Sequence, residues 1–295
     1  MGHRLIFLLL AAAATIAASD SDETITISRV SIPLGPGETA FCVSLPEDGN
    51  TIAFQSERPG GHGKLDIWLS RLENGRWSKP YDPGPGINTA SNEADAKLSA
   101  DGLSMVFIRS YDLKESSQVY ISHLRHGQWS EGELVPAPVS LPGALQFGVS
   151  LSRDQKRLYF SSNRKGGYGG FDHYYSDRKG DQWGEPVNLG PVINTAENEA
   201  DMTVSRDGNA IIFPAKRSDS INGSTDLYIS HNVNGAWSPI QNLGPRINTP
   251  GTDTCPWLGY DGETLYVSSN WDGLVAGQKN SVMSIWQFRY PAGFK

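Results

Sequence analysis

Residues 202–208, MTVSRDG, place a short strand-forming run directly before an Asp-Gly pair, and this arrangement returns along the whole chain. Five turn aspartates recur at intervals of 53 or 54 residues: Asp48, Asp101, Asp154, Asp207 and Asp261. A tryptophan recurs at a similar interval: Trp77, Trp129, Trp183 and Trp237. Ile-Asn-Thr triplets begin at positions 87, 193 and 247. Because three landmarks keep one phase, the chain contains five copies of a single structural unit.

Each unit contains four short strands. One precedes the Asp-Gly turn, an alternating apolar run such as Arg157–Ser161 follows it, a third resembles Asp226–Ser230, and the fourth begins at the tryptophan. Four antiparallel strands in a repeat of this length are typical of a propeller blade. The sequence therefore predicts an all-β, five-bladed β-propeller whose blades occupy residues 41–90, 91–143, 144–196, 197–249 and 250–290.

The last repeat ends after three strands, and its missing partner is expected at the other end of the chain. Leu34-Gly35-Pro36, which follows residues 24–32, matches Leu189-Gly190-Pro191, which follows an outer strand. We therefore expect residues 24–32 to form the fourth strand of the last blade. This pairing closes the ring and hides sheet edges that would otherwise favour aggregation.

The first 19 residues have the order of a secretory signal peptide. A short basic start precedes the apolar run Leu5–Ala18, and small residues then lead into an acidic segment. The run is short for a membrane span. The sequence thus predicts a periplasmic or secreted protein whose single propeller domain occupies residues 20–295. Its net charge of −7 argues against a nucleic-acid partner.

The two cysteines occupy equivalent places in the repeat. Cys42 and Cys255 each lie six residues before the turn aspartate of their blade, in the inner strands of the first and last blades. These blades are neighbours in a closed ring, and an exported protein can oxidise its thiols. Inner strands of adjacent blades can also stand too far apart for a disulfide, so both states remain open.

Several strings resemble the propeller repeats of a known family. Residues 158–164 (LYFSSNR), 166–172 (GGYGGFD) and 188–191 (NLGP) resemble the WD-like repeats of TolB and related envelope proteins. The resemblance implies an exported binding protein with an envelope protein or a polysaccharide as its partner. TolB has a sixth blade and an additional N-terminal domain, for which this sequence has no room, so the specific activity of TolB is not transferred.

Two recurring charged positions flank the loop between the second and third strands. Arginines end the second strand and aspartates open the third, which predicts an ion pair within each well-formed blade. The expected pairs are Arg58 with Asp66, Arg164 with Asp172 and Arg217 with Asp226.

A second acidic set lies at or just before the inner strands, which face the propeller axis. Its members are Glu93, Asp95, Glu199, Asp201 and Asp253. They could bind the connection between blades, hold calcium or another divalent cation, or act as the acid and base of a glycoside hydrolase through Glu93, Glu199 and Asp253. Repetition favours the structural interpretation, because catalysis requires unlike carboxylates.

Residues that interrupt the repeat or lie in its loops are candidates for ligand contact, since aromatic surfaces beside polar groups suit sugars and peptides. These candidates are His62, Tyr111, Gln146, Tyr168, Trp257 and Trp271. The sequence has no nucleophile elbow, phosphate loop or paired-histidine motif. We therefore expect a binding protein rather than an enzyme, without a required cofactor.

Overall fold

The computed structural model describes residues 14–15, 25–221, 225–271 and 279–294. Within these ranges the chain forms strands, turns and loops, and no helix has the length and apolarity to cross a membrane. The first strand, β1 (Ala14–Thr15), pairs with β2 (Thr26–Arg29). Apart from β1, the predicted signal peptide lies outside the described residues.

Four sheets follow one antiparallel plan, counted from the axis to the rim. Blade 1 contains β3 (Phe41–Ser44), β4 (Thr51–Ser56), β5 (Asp66–Glu73) and β6 (Arg76–Trp77). Blade 2 contains β7 (Asn92–Leu98), β8 (Ser104–Ser110), β9 (Gln118–Arg125), β10 (Gln128–Trp129) and β11 (Glu133–Leu134). Blade 3 contains β12 (Gln146–Leu151), β13 (Arg157–Ser162), β14 (Asp172–Lys179), β15 (Gln182–Trp183) and β16 (Val187–Asn188). Blade 4 contains β17 (Thr203–Val204), β18 (Ala210–Ala215), β19 (Asp226–Val233), β20 (Ala236–Trp237) and β21 (Gln241–Asn242). In blades 2 to 4 the last two short strands are pieces of one interrupted outer strand, since both pair with the third.

The fifth blade is completed by the start of the chain, which confirms the predicted closure. It contains β22 (Asp253–Leu258), β23 (Thr264–Trp271) and β24 (Lys279–Arg289). Strand β2 adds beside β24 with Thr26 opposite Arg289 and Arg29 opposite Trp286. The inner strands β3, β7, β12, β17 and β22 surround one axis, and β22 lies against β3. The predicted five-bladed ring is therefore confirmed.

The apolar core is divided among the contacts between adjacent blades, which we call seams and number by their two blades. Each seam holds its own buried cluster. Equivalent phenylalanines on four second strands fill these clusters and are fully buried: Phe54, Phe107, Phe160 and Phe213. Burying one such side chain contributes about 1.5–3 kcal/mol. The repeated tryptophans are half-buried and pack against the outer ends of the clusters.

The two hairpins of a blade use different turns. In the first hairpin only the second residue of the Asp-Gly pair has a positive φ. Gly208 is an example, with a φ of 75° and an N–H that donates to Ser205 O at 2.9 Å. This is a tight turn followed by a left-handed residue and not a type I′ turn, which would need positive φ at both positions. The type I′ geometry belongs to the second hairpin, where Asn74 (51°) and Gly75 (76°) both have positive φ.

The propeller has two faces. The loops between the second and third strands open on one of them, which we call the loop face. The Asp-Gly turns lie on the opposite one, which we call the turn face.

Candidate functional site

The Ile-Asn-Thr connection joins adjacent blades through its two polar side chains. Asn88 binds the third strand behind it, accepting from Ile67 N at 3.0 Å and donating to Ile67 O at 2.8 Å. Thr89 binds the inner strand ahead, since its N–H and hydroxyl donate to the two carboxylate oxygens of Glu93 at 3.1 and 2.6 Å. Arg109 Nε completes this seam clamp by donating to Glu93 Oε1 at 2.8 Å.

The seam clamp recurs at two other seams. In seam 3–4, Thr195 donates to Glu199 at 3.0 and 2.7 Å, and Arg217 Nη2 lies 3.0 Å from Glu199 Oε1. In seam 4–5 the threonine and carboxylate recur with a serine in place of the arginine: Thr249 donates to Asp253 at 2.7 and 2.8 Å, and Ser269 Oγ lies 3.1 Å from Thr249 Oγ1. These contacts explain why the triplet and the carboxylate keep one phase in the sequence.

The three carboxylates considered for glycoside hydrolysis therefore serve three separate seams. Glu93, Glu199 and Asp253 are each 0% exposed. Burial raises the pKa of Glu93 and of Asp253, while the hydrogen bonds of Thr89 and Thr249 oppose that rise. Each carboxylate is enclosed by its own threonine, as the structural interpretation of this acidic set expects.

Seam 2–3 has a different connection. Gln146 takes the carboxylate position and is fully buried, and its side-chain amide has no hydrogen-bond partner among the described residues. Arg164 instead donates to the carbonyls of Pro138 and Val139 at 3.0 and 2.6 Å. Gln146 is thus enclosed in the seam and does not line an open surface.

The predicted ion pairs within blades are wrong, because the arginines reach away from the aspartates. Arg58 pairs with Glu38 at 3.0 Å and Arg217 pairs with Glu199, while Arg164 contacts the carbonyls of the preceding connection. Two of the arginines thus reach carboxylates, and Arg164 reaches backbone carbonyls. Arg58 and Arg164 also stack over aromatic rings at 4.5–5.1 Å.

The aspartates at the start of the third strands hold the loops instead. Asp66 accepts backbone N–H bonds from His62 and Gly63 at 3.1 and 3.2 Å. Asp172 accepts from Tyr168 and Gly169 at 2.6 and 3.0 Å, and Asp226 accepts from Ile221 at 2.9 Å. A carboxylate bound to backbone donors is a strong acceptor, so these residues fix the shape of the loop face.

A second ring of side chains, two residues further along the inner strands, meets at the axis. Four inner strands have a register irregularity that contains a residue of positive φ: Cys42 (53°), Asp95 (52°), Gly148 (55°) and Cys255 (47°). Asp201 is the equivalent residue of blade 4. Because a bulge re-aims a side chain, this set, which we call the axial ring, points inward. Cys42 and Cys255 form a disulfide with a Cα–Cα distance of 4.8 Å, which decides between the two states left open by the sequence.

The acidic groups of the axial ring are electrostatically linked. Burial raises the pKa of Asp95 to about 6, with a further contribution from the charge of Asp201 and an opposing one from Lys97. Burial also lowers the pKa of the Lys97 ammonium, which the two carboxylates oppose. Asp201 Oδ2 accepts from Thr254 Oγ1 at 2.7 Å. The predicted cation ligands are therefore divided, with Asp95 and Asp201 at the axis and the other three in the clamps.

The centre of the propeller is filled below the axial ring. Trp257 is 3% exposed and packs edge-to-face on Tyr260 with a centroid distance of 5.7 Å. Lys97 Nζ lies 5.4 Å from the indole of Trp257 and donates to Val43 O at 3.3 Å. Trp257, which the sequence predicted to contact a ligand, is instead buried and fills the centre of the propeller. A ligand would have to bind above it on the loop face.

The remaining candidates lie around the loop face. Tyr111 and Tyr168, from blades 2 and 3, are 89% and 53% exposed. His62 is exposed, and its Nε2 lies 2.8 Å from Asp82 Oδ2. Trp271 is half-buried against Trp286. A hollow of about 700 Å³ opens beside Asp201, between the loops of blades 4 and 5. Exposed rings on anchored loops make this face the candidate binding surface.

Comparisons with solved structures place the fold beside known propellers. A TolB structure from Agrobacterium tumefaciens has 21% identity and a TM-score of 0.53, with 86% of this chain and 79% of that chain covered. TolB from Acinetobacter baumannii has 18% identity and a TM-score of 0.51, with 95% and 60% covered, so this chain spans about three fifths of that protein. The likeness to TolB is one of fold.

Propellers of other activities are equally similar in shape. The catalytic domain of a GH62 α-L-arabinofuranosidase from Coprinopsis cinerea has 10% identity and a TM-score of 0.56, with 90% and 96% covered. No family model and no curated protein matches the chain. The TolB-like propeller inferred from the repeats is confirmed, and these identities carry no activity with the fold.

Proposed function

We propose that this chain is an exported binding protein that captures an envelope protein or a polysaccharide on its loop face. The observation that carries the proposal is the display of Tyr111 and Tyr168 on adjacent blades, at 89% and 53% exposure. Large exposed aromatic rings supply contact area at a low cost in side-chain entropy. The loop of Tyr168 is fixed by Asp172, so little ordering accompanies binding.

Export to the periplasm or the cell exterior belongs to the same proposal. The signal-like order of residues 1–19 and the Cys42–Cys255 disulfide support it, because disulfides persist in oxidising compartments.

The loop face is tested with paired substitutions. Tyr111→Ala with Tyr168→Ala should raise the Kd for the partner at least tenfold, since truncating an interface tyrosine commonly costs more than 1 kcal/mol. Leu103→Ala is the matched control, because Leu103 lies on the turn face of blade 2 and is 52% exposed. Glycan arrays and cross-linking of intact cells through a photoreactive residue at position 111 or 168 identify the partner, and calorimetry with the purified partner gives the Kd.

An equal loss of affinity in Leu103→Ala would contradict a loop-face site. The enzymatic alternative is tested on the parent protein with a panel of arabinoxylans and other polysaccharides. Because Glu93, Glu199 and Asp253 are enclosed in seams, we expect no release of sugar. Hydrolysis that depends on any of these carboxylates would replace the proposed function with a glycosidase.

A further inference from the structure

The axial ring brings the sulfur atoms of two cysteines and the carboxylates of two aspartates, from different blades, to one point. The Sγ atoms of Cys42 and Cys255 and a carboxylate oxygen of Asp95 all lie within 4.8 Å of one another. Asp201 Oδ2 lies 3.5 Å from Cys255 Sγ. Four of the five equivalent positions therefore carry a side chain that can ligate a metal, and the fifth is Gly148.

We propose that the reduced form of this chain holds one thiophilic divalent cation, of the Zn²⁺ class, between Cys42, Cys255, Asp95 and Asp201. The disulfide and the metal site are then alternative states of the same four side chains. This site is separate from the loop-face aromatics and stands whether or not they bind a partner.

The donor set and its spacing fit such an ion. Zn²⁺ binds thiolate sulfur and carboxylate oxygen in tetrahedral sites, with Zn–S distances near 2.3 Å. Two sulfurs in that geometry stand about 3.7 Å apart, so the thiols need only separate after reduction. Cys42, Asp95 and Cys255 lie on inner strands and Asp201 lies two residues before β17, so the closed ring limits how far the ligands can spread.

Neighbouring groups orient the carboxylate ligands, as outer groups do in metal sites. Asp95 is buried, and its Oδ2 accepts a hydrogen bond from Gly148 N–H at 3.1 Å. Thr254 Oγ1 donates to Asp201 Oδ2 at 2.7 Å. These hydrogen bonds fix the orientation of both carboxylates, and the oxygen of Asp201 that Thr254 orients is the one that lies near Cys255 Sγ.

A divalent cation also offsets much of the charge of its ligands. Two thiolates and two carboxylates carry four negative charges, and the cation cancels two of them. The buried Lys97 lies one layer below these ligands. With the disulfide intact, the two sulfur atoms cannot act as thiolate ligands. Only the two carboxylates of the proposed ligand set then remain to bind a cation, and Lys97 lies beside them.

The change of state needs a dithiol reductant. One of its thiolates attacks a sulfur of the disulfide, and its second thiol then displaces the mixed disulfide. The reductant becomes a disulfide, two electrons pass to Cys42 and Cys255, and each of them takes up a proton. The incoming cation replaces these two protons, which are released to solvent.

The test compares oxidised and reduced full-length protein, titrated anaerobically with Zn²⁺ by calorimetry and with Co²⁺ by absorbance. We expect the reduced protein to bind one Zn²⁺ and to show the thiolate charge-transfer and tetrahedral bands of Co²⁺, and the oxidised protein to bind neither. Asp95→Asn should weaken binding by the reduced protein at least tenfold, whereas Asp207→Asn, on the turn face, should not change it.

Binding of Zn²⁺ to the oxidised protein with equal affinity, or no binding to the reduced protein, would overturn the proposal. The same conclusion follows if Cys42→Ser with Cys255→Ser binds the metal like the reduced parent. Should reduction abolish the melting transition, Zn²⁺ must restore it in the parent and not in Asp95→Asn; a failure to restore it also overturns the site.

Discussion

Seams 2–3 and 3–4 flank the same blade, yet they are held together differently. Seam 3–4 has the clamp of Thr195, Glu199 and Arg217. Seam 2–3 places at the carboxylate position the amide of Gln146, which has no hydrogen-bond partner in the part of the chain that the structure describes. The connection that precedes Gln146 is one residue longer, because Leu141 lies five residues before Gln146 while Thr195 lies four before Glu199. Seam 2–3 therefore lacks both the carboxylate and the threonine hydroxyl that form the clamp in seam 3–4, and its connection is one residue longer.

The largest expected effect comes from breaking seam 3–4. Arg217→Met leaves the fully buried Glu199 without its cation, so we expect the free energy of unfolding to fall by about 3–5 kcal/mol. Urea denaturation measures the loss. Arg246→Met is the control, because Arg246 is exposed on the next connection. Adding Glu199→Gln to Arg217→Met should recover part of the loss; an unchanged stability in the single variant would show that the clamp is not a stabilising element.

A smaller effect is expected from His173, which lies in the same seam against Phe213 at a centroid distance of 5.5 Å. Burial and the charge of Arg217 lower its pKa from 6.5 to about 3. Between these values the unfolded state takes up a proton that the folded state does not, so stability falls as the pH drops from 6.5 towards 3. Both ring nitrogens lack a hydrogen-bond partner among the described residues.

His173→Leu should therefore raise the free energy of unfolding by about 1–3 kcal/mol at neutral pH and by more at pH 4.5. Leucine occupies the equivalent place in blade 4, at Leu227. Thermal unfolding at both pH values measures the change, with His231→Leu as a control that keeps the acid sensitivity of the parent. A His173→Leu variant with the same pH dependence as the parent would refute the buried neutral imidazole.

The smallest effect is expected in seam 2–3. Gln146→Met replaces a buried amide, which has no partner within the described ranges, by an apolar side chain of similar volume. This change should stabilise the protein by about 1 kcal/mol. Gln128→Met, at an exposed position, serves as the control. A loss of stability in Gln146→Met would mean that the amide has a role that the comparison of seams does not capture.

The repeat made the ring predictable, because strand number, blade phase and closure all follow from recurring residues. It did not reveal that Glu93 and Asp95, two residues apart on β7, have different surroundings. That difference arises from the bulge at Asp95, whose positive φ has no signal in an Ala-Asp-Ala segment. The equivalence of Asp95 and Asp201 with the cysteines was visible in the spacing, and it would have placed all four at the axis.

Lys97 and Tyr260 were missed as residues that fill the axis. Neither repeats, and a buried lysine is unusual enough that a sequence pattern favours exposure. The arginines were misassigned for a related reason. An arginine and an aspartate that recur together suggest a pair. In the structure the aspartates accept from loop N–H groups, as Asp172 does, and the arginines reach carbonyls or carboxylates in the seams.

The pairing of β2 with β24 has a consequence for biosynthesis. Strand β2 (Thr26–Arg29) is synthesised before blades 1 to 4, and its partner β24 (Lys279–Arg289) is synthesised after them. The fifth blade therefore cannot be completed until all four other blades and β24 have been made. Contacts between distant segments form slowly, so the nascent chain passes through a stage with an open, unpaired rim that a chaperone could recognise.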